Sequence, residues 1–361
     1  MTRERRMTNR PPGEGSASSP PSTQPPRRVT LKDVAVIAAV DIAIVSRVVN
    51  NDVTLKITAS TRDRVQAALK ETGYVPNAAA RGLRTSRTRT VGMVLPDLTN
   101  PVYAQIVAGV QRQAERAGYA IVLGGTFGDS SGEEQFARLL AEGRVDGLLI
   151  ATGSVPDLTL RALREMKAPL VLVNRAVDGL DSVTVDDAAA IRLATEHLVE
   201  FGHRRIGLIN GAAGVDTSIR REEGFQRAAR DAGLRGLPVV NMPSWDAAAG
   251  LEAVQRLVGA QEDVTAIVVA TVAATPGVLH GLRMLGRSVP SDVSVVALHD
   301  MPSARFEFPP ITIVRTPLMA MGSGAFDLLL SRINGSQGPE SRMIDDEPEL
   351  VVRDSSGVAP A

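Results

Sequence analysis

Cysteine is absent from the 361 residues. That excludes disulfides and thiolate-held metal sites and fits a reducing, cytoplasmic setting. Aromatics are scarce: one Trp, three Tyr and seven Phe. No apolar run reaches the roughly 18–20 residues that span a bilayer, and the N-terminus lacks the apolar stretch of a secretory signal, so no membrane association is expected. The four histidines, His197, His203, His280 and His299, lack metal-ligand spacing, and neither a metal nor a cofactor is expected. GxxxxGK[ST] is missing, and Gly124, Gly125 and Gly128 do not complete GxGxxG. GDSSG at 128–132 follows a strand pattern, where Ser131-Gly-Glu-Glu134 is a helix capping box and not a protease signature. Asp186-Asp187 reads as a helix start in preference to a catalytic dyad. Nothing in the chain argues for an enzyme.

What is present is unevenly placed. Residues 1–90 carry 16 Lys and Arg against 7 Asp and Glu, a net of +9, and the remaining 271 carry 24 against 33, a net of −9. Six of the early cations lie in a Pro-, Ser- and Gly-rich tail, 1–28, which has no apolar periodicity and reads as disordered. The other ten lie beyond it, among helical patterns. A basic head on an acidic body is the electrostatic footprint of a nucleic-acid-binding module joined to a domain of another purpose.

The head begins sharply. Thr30-Leu-Lys-Asp33 is a capping signal for a short helix with Leu31, Val34, Ala35 and Ala38 on one face. Ala39-Val40 makes a tight turn, Asp41 caps a second helix over 42–49, and a third runs from Thr58 to Gly73. Two short helices joined by a tight turn and supported by a third form a helix-turn-helix pattern. TSRTRT (85–90) is a basic linker. From Thr90 onward, strand runs alternate with amphipathic helices: VGMVLP (91–96), a helix over 101–117, YAIVLGG (119–125), a helix over 132–142, DGLLIA (146–151), a helix over 157–167 and PLVLVN (169–174). The pattern resumes with SVTVD (182–186), RIGLIN (205–210), VTAIVVA (264–270) and VSVVAL (293–298). This βαβ alternation argues for doubly wound parallel sheets in two similar lobes, with a ligand cleft at the carboxyl ends of the strands.

The segments VTLKDVAVIAAVDIAIVSRVVNN (29–51), TRDRV (61–65), GYVPNAAARGL (73–83), TRTVGMVLPDLTNPVY (88–103), RVDGLLI (144–150), GHRRIGLING (202–211) and SVVALHD (294–300) occur in the order and spacing of the LacI/GalR repressor family. The resemblance runs from residue 29 to about 355. It implies an all-α helix-turn-helix domain (29–75), a hinge helix and linker (76–89), and an α/β sensor (90–357). The sensor would have two lobes of the periplasmic-binding-protein-like type: lobe 1 at about 90–185 and 316–335, lobe 2 at about 186–315 and 340–355. It further implies a homodimeric, nucleoid-associated transcription repressor on a palindromic operator in double-stranded DNA, controlled by a small-molecule effector bound between the lobes. A solute receptor with the same sensor fold is the competing class, and the head at 29–83 argues against it.

Within that resemblance, Ile42, Ala43 and Arg47 lie on one exposed face of the second helix. Arg47 suits a bidentate pair to guanine, and the two apolar residues suit thymine methyls. Thr30 is a further DNA-binding position, Ser46 suits a phosphate, and Asn50 either contacts the backbone or caps the helix. The resemblance places Asn77, Ala80 and Arg81 on the hinge, with Leu83 as a minor-groove wedge. Three positions depart from the family's usual residues: Ala39 for Gly at the turn, Asp41 for Ser at the cap and Ile44 for Thr. Together they predict weaker DNA binding. In the sensor, the resemblance assigns effector contacts to Asn100, Asn174, Arg175, Arg221, Trp245, Thr271, His299 and Asp300. Trp245 either stacks on the effector or packs at a helix start. His299, where an aspartate is common, is either a contact or a satisfied strand-end histidine. Thr271-Val272 stand in place of an Asn-Asp pair. With fewer acceptors for vicinal hydroxyls and Arg221 present, the effector is a sugar or an anionic metabolite.

Overall fold

A computed structural model of the chain describes residues 29–74, 87–125, 131–151 and 168–360. The chain divides into two compact units, the first ending at Ala78 and the second beginning at Ala79. The 1–28 tail, the 157–167 helix pattern and the hinge positions Asn77, Ala80, Arg81 and Leu83 lie outside the described residues.

In the first unit, α1 (Leu31–Ala38), α2 (Ile42–Val49) and α3 (Ala59–Thr72) form where their caps dictate. The Thr30 N–H and hydroxyl both donate to the Asp33 carboxylate, at 2.8 and 2.7 Å, and the Thr30 oxygen accepts from the Asp33 N–H at 3.4 Å. Two orphan donors are thereby satisfied in a closed capping box. Ala39 ends α1 at φ 49°, ψ 50°, the left-handed region where a Cβ is unfavourable. The Asp41 carboxylate accepts from the Ala43 N–H at 2.7 Å and starts α2. Gly73 closes α3 at φ 60°. Val34, Ala35, Ala38, Val45, Val48, Val65 and Ala68 form the small core, with Ile44 packed half-buried against it.

The second unit contains two six-stranded sheets. In the first run β1 (Thr90–Leu95), β2 (Ala120–Gly125), β3 (Gly147–Ile150), β4 (Leu170–Val173) and β5 (Ser182–Thr184), with α4 (Pro101–Ala117) and α5 (Ser131–Ala141) between strands. In the second run β6 (Ile206–Asn210), β7 (Val239–Asn241), β8 (Ala266–Val269), β9 (Ser294–Leu298) and β10 (Thr312–Arg315). Its helices are α6 (Asp187–Glu200), α7 (Asp216–Asp231), α8 (Ala247–Ala260) and α9 (Thr275–Met284). The chain then returns to the first lobe as α10 (Leu318–Ile333), which packs along α4, and as β11 (Ser341–Met343). It ends in the second lobe with β12 (Glu349–Val351). The strand orders are β11-β5-β4-β3-β1-β2 and β12-β10-β9-β8-β6-β7, parallel except for β12 against β10. Residues 340–355, expected wholly in the second lobe, are therefore divided: Ser341, Arg342 and Met343 pair with Ser182, Val183 and Thr184 of the first sheet. The chain passes between the lobes three times, after β5, after β10 and after β11.

The apolar runs of the central strands β3, β4, β8 and β9 are buried on both faces, as crossover helices require of parallel sheets, whereas the run of the edge strand β2 is partly exposed. α4 and α10 touch backbone to backbone: a Cβ on Gly109 would strike the Met319 carbonyl, and one on Gly322 the Ile106 carbonyl.

Candidate functional site

Two sites arise from this fold, one in each unit. In the head, Ile42, Ala43, Arg47 and Asn50 are exposed along α2, whereas Val45 and Val48 are buried. The face assigned to base reading is therefore a solvent face with an apolar start and a cationic end. Ser46 is half-buried, and its carbonyl accepts from the Asn50 side chain, so Asn50 caps α2. Thr30 is engaged in its capping box. Arg47 is held: its Nε donates to Asp52 Oδ2 and its Nη2 to Thr54 Oγ1, both at 2.8 Å. That grip draws the Asp52 carboxyl down to about 2, with smaller contributions from Thr54.

In the sensor, a cavity of about 540 Å³ opens where the carboxyl ends of both sheets meet. Pro96 after β1, Ala151 after β3 and Asn174-Arg175 after β4 line it from one lobe. Ala212 after β6, Thr271 after β8 and His299 after β9 line it from the other. The N-termini of α4, α7 and α8 border it through Asn100, Val102 and Tyr103, through Val215 and Thr217, and through Ser244, Trp245 and Asp246. Strand ends facing helix starts leave a crevice with backbone donors pointing inward, which is how doubly wound folds make ligand sites.

Electrostatics in the cavity are dominated by a buried network. Arg221, 2% exposed, donates from Nε to Asp187 Oδ1 at 2.7 Å and from Nη2 to His299 Nε2 at 3.2 Å. Its guanidinium lies 5.1 Å from the Trp245 ring centroid, a cation–π contact. Asp187 also accepts from Arg220 at 2.6 Å, and Arg220 pairs in turn with Asp216. Burial alone would raise the Asp187 carboxyl, but Arg221 and Arg220 hold it below the usual carboxylate range. Two carboxylates against two guanidiniums leave no net charge.

His299, at φ 70°, is buried, and burial followed by the neighbouring Arg221 charge lowers its pKa to about 3. It is neutral at physiological pH. Arginine is only a donor, so Nε2 accepts and Nδ1 carries the proton, donating to Thr316 Oγ1 at 2.8 Å. Both ring nitrogens are engaged, so His299 presents no free ring nitrogen to the cavity it lines. Burial raises the Tyr103 phenol to about 12, so it remains a neutral hydroxyl. Asn174, at φ 61°, carries a buried Oδ1 with no hydrogen-bond partner. Asn100 accepts from the Val102 N–H at 3.0 Å, capping α4. The Trp245 ring packs over Gly211, where a Cβ would collide with it.

Seven of the eight expected effector residues thus meet in one cavity: Asn100, Asn174, Arg175, Arg221, Trp245, Thr271 and His299. Asp300 is not among its lining residues. Its carboxylate holds Arg315 at 2.8 Å and Arg353 at 3.0 Å, bracing the second sheet. The charge on Arg221 that favoured an anionic metabolite is neutralised by Asp187. Sequence reasoning missed Tyr103, Thr217 and Asp187. Tyr103 was within reach, one helical turn from Asn100. Asp187 meets an arginine 34 residues away, and no local pattern marks such a pair.

The model of the lacI family of bacterial regulatory proteins matches residues 30–77, and that of the periplasmic binding protein-like domain matches 195–356. The HTH-type transcriptional repressor PurR of Aliivibrio fischeri (strain MJ11) is 32% identical over 332 residues, covering 90% of this chain and 98% of that protein. The solved complex of the transcriptional regulator CelR with cellobiose is 32% identical with a TM-score of 0.68, covering 91% of this chain and 100% of that one. The lac repressor dimer bound to operator and the anti-inducer ONPF is 26% identical with a TM-score of 0.78, covering 92% and 100%. The chain belongs to the LacI family: it is a DNA-binding transcriptional repressor whose helix-turn-helix head is joined to a two-lobed, effector-binding sensor.

Proposed function

We propose that the sensor cavity takes a neutral molecule with hydrogen-bond donors on one side and a flat, less polar face on the other, in the class of sugars or nucleobase-like rings. The observation that carries this is Asn174, which lines the cavity and whose buried Oδ1 has no hydrogen-bond partner. An acceptor removed from water without a partner is costly, and an effector hydroxyl or N–H removes that cost. Trp245 and the His299 ring, whose nitrogens are both engaged, supply the less polar counterpart. The cellobiose complex of CelR supports a polyhydroxylated ligand. The chain acts by binding and not by catalysis, a reading supported by the engagement of both His299 nitrogens, which leaves that ring no lone pair for a substrate proton.

Ile42, Ala43 and Arg47 read bases in the major groove of a palindromic operator, and the 77–83 segment contacts its centre. The protein works as a homodimer, which the lac repressor dimer supports. Exposed Val122, Leu123, Met284, Phe306 and Phe308 offer apolar surface for it. Effector and operator binding are coupled by about 1–3 kcal/mol, a 5- to 150-fold change in operator affinity. Calorimetry with neutral sugars, nucleobases and organic acids tests the effector class. Binding by the neutral compounds is expected, weakened about tenfold by Asn174→Ala. Binding confined to organic acids would overturn the proposal.

A further inference from the structure

The α2 arginine is held by a device in the loop that follows it. The Asp52 carboxylate is fixed through Oδ1, which accepts from the Thr54 N–H at 2.8 Å and hydroxyl at 2.7 Å. Its other oxygen takes the Arg47 Nε–H at 2.8 Å, and the Thr54 oxygen takes an Nη2 hydrogen at 2.8 Å. The Asp52 N–H also donates to the Arg47 carbonyl at 3.0 Å, so the loop folds back on the helix end from which it departs. Three side chains thus close a ring of hydrogen bonds on the surface of the head.

The geometry of the ring matters more than its strength, because an exposed ion pair contributes little to stability. Asp52 and Thr54 take the Nε–Nη2 edge of the guanidinium. The remaining edge, Nη1 with the second Nη2 hydrogen, is the end-on fork that matches the O6 and N7 acceptors of guanine. An arginine free to rotate would have to be ordered on binding, whereas one gripped along its side edge presents the fork already oriented. A carboxylate beside DNA also repels phosphates, and that repulsion weakens cognate and random sequences alike.

We propose that Asp52, braced by Thr54, is a specificity-determining positioning residue that pre-orients Arg47 for base reading. The inference rests on the assignment of Arg47 as a base reader. Its signature is a separation of specificity from affinity. Removing Asp52 frees the guanidinium and lowers the preference for cognate over altered DNA, while it relieves repulsion and leaves random-sequence binding equal or tighter.

The test uses the full-length protein and an operator obtained by in vitro selection. Anisotropy titrations measure dissociation constants for that operator, for one altered at the Arg47-dependent base pair, and for random DNA, across a range of salt. The proteins are wild type, Arg47→Ala, Asp52→Ala and Asp52→Asn. In Asp52→Ala the cognate-to-altered ratio is expected to fall roughly fivefold, with random-DNA affinity undiminished. Asp52→Asn has a single acceptor oxygen where the carboxylate uses two, one for Arg47 and one for Thr54, so it keeps only one of the two contacts and recovers only part of the ratio. A ratio lost in Arg47→Ala but unchanged in Asp52→Ala overturns the positioning role and leaves Arg47 as reader. A ratio unchanged in Arg47→Ala overturns the reading itself. Equal tightening on all three DNAs in Asp52→Ala shows Asp52 to be only a repulsive charge, and also overturns the proposal.

Discussion

At Ala39 and His299 the backbone adopts left-handed conformations with non-glycine residues, at φ 49° and 70°. Ala39 terminates α1 and sets the turn into α2, and its Cβ opposes that geometry. Ala39→Gly should stabilise the head by about 1 kcal/mol, read as roughly fivefold slower amide exchange across α1 and α2 in the full chain. His299 has a different consequence. Its folded pKa, about 3, lies below the 6.5 of a free imidazole, and burial lowers those of His197 and His203 as well. The unfolded chain therefore takes up protons first as pH falls. Stability complete above about pH 6.5 is lost progressively below it, and for His299 the loss continues toward pH 3. Thermal melts between about pH 7.5 and 5 should show the sensor's transition falling, with a shallower fall in His299→Gln. A transition that does not move would show that these rings do not stay neutral in the fold.

At the scale of elements, local chemistry was readable and long-range pairing was not. The caps at Thr30, Asp41, Thr58 and Gly73 each act within four residues, and the head helices begin or end there. The central strands announce themselves as apolar runs because both of their faces are buried. The peripheral strands β7, β11 and β12 have three residues each, and none is fully buried. They carry no periodic signal, which is why β11 was assigned to the wrong lobe. The cavity residues taken from motif positions converge, but the Asp187–Arg221 pair that sets their electrostatics arises only when α6 and α7 pack together. The contact of α4 with α10 was equally hidden. It requires bare backbone on both helices, and a side chain at Gly322 would push them apart. Gly322→Ala should cost about 1–3 kcal/mol, measured as a lower unfolding midpoint of the sensor, with the head's helices unaffected by circular dichroism.

At the scale of the whole sensor, hydrogen bonds among the described residues join its lobes across the cleft. The Ala176 N–H donates to Asp216 Oδ2 at 2.9 Å, and the Gln105 side chain donates to the Asp300 carbonyl. Asp216 also pairs with Arg220, which holds Asp187 and through it Arg221 on the cavity wall. A continuous polar chain thus runs from the effector site to a contact that exists only when the lobes are together. Asp216→Ala removes that contact, and should weaken effector binding about three- to tenfold while increasing the radius of gyration in X-ray scattering. Asp216→Asn keeps an acceptor for the Ala176 N–H and should lie closer to wild type. Equal affinity in all three proteins would detach the chain of contacts from ligand binding.

The three passages of the backbone between the lobes follow β5, β10 and β11. β5 and β11 are neighbours in the first sheet, and β10 and β12 are neighbours in the second. The three spans therefore leave and arrive side by side, as a mechanical flexure does. Such a joint resists stretching and lateral slip of one half over the other, because each span would have to lengthen. Bending and torsion about the spans are its soft motions. A ligand that draws the two walls of the cavity together thus has a rotation at its disposal and no translation. Cutting one span with a protease would leave the halves tethered by the other two.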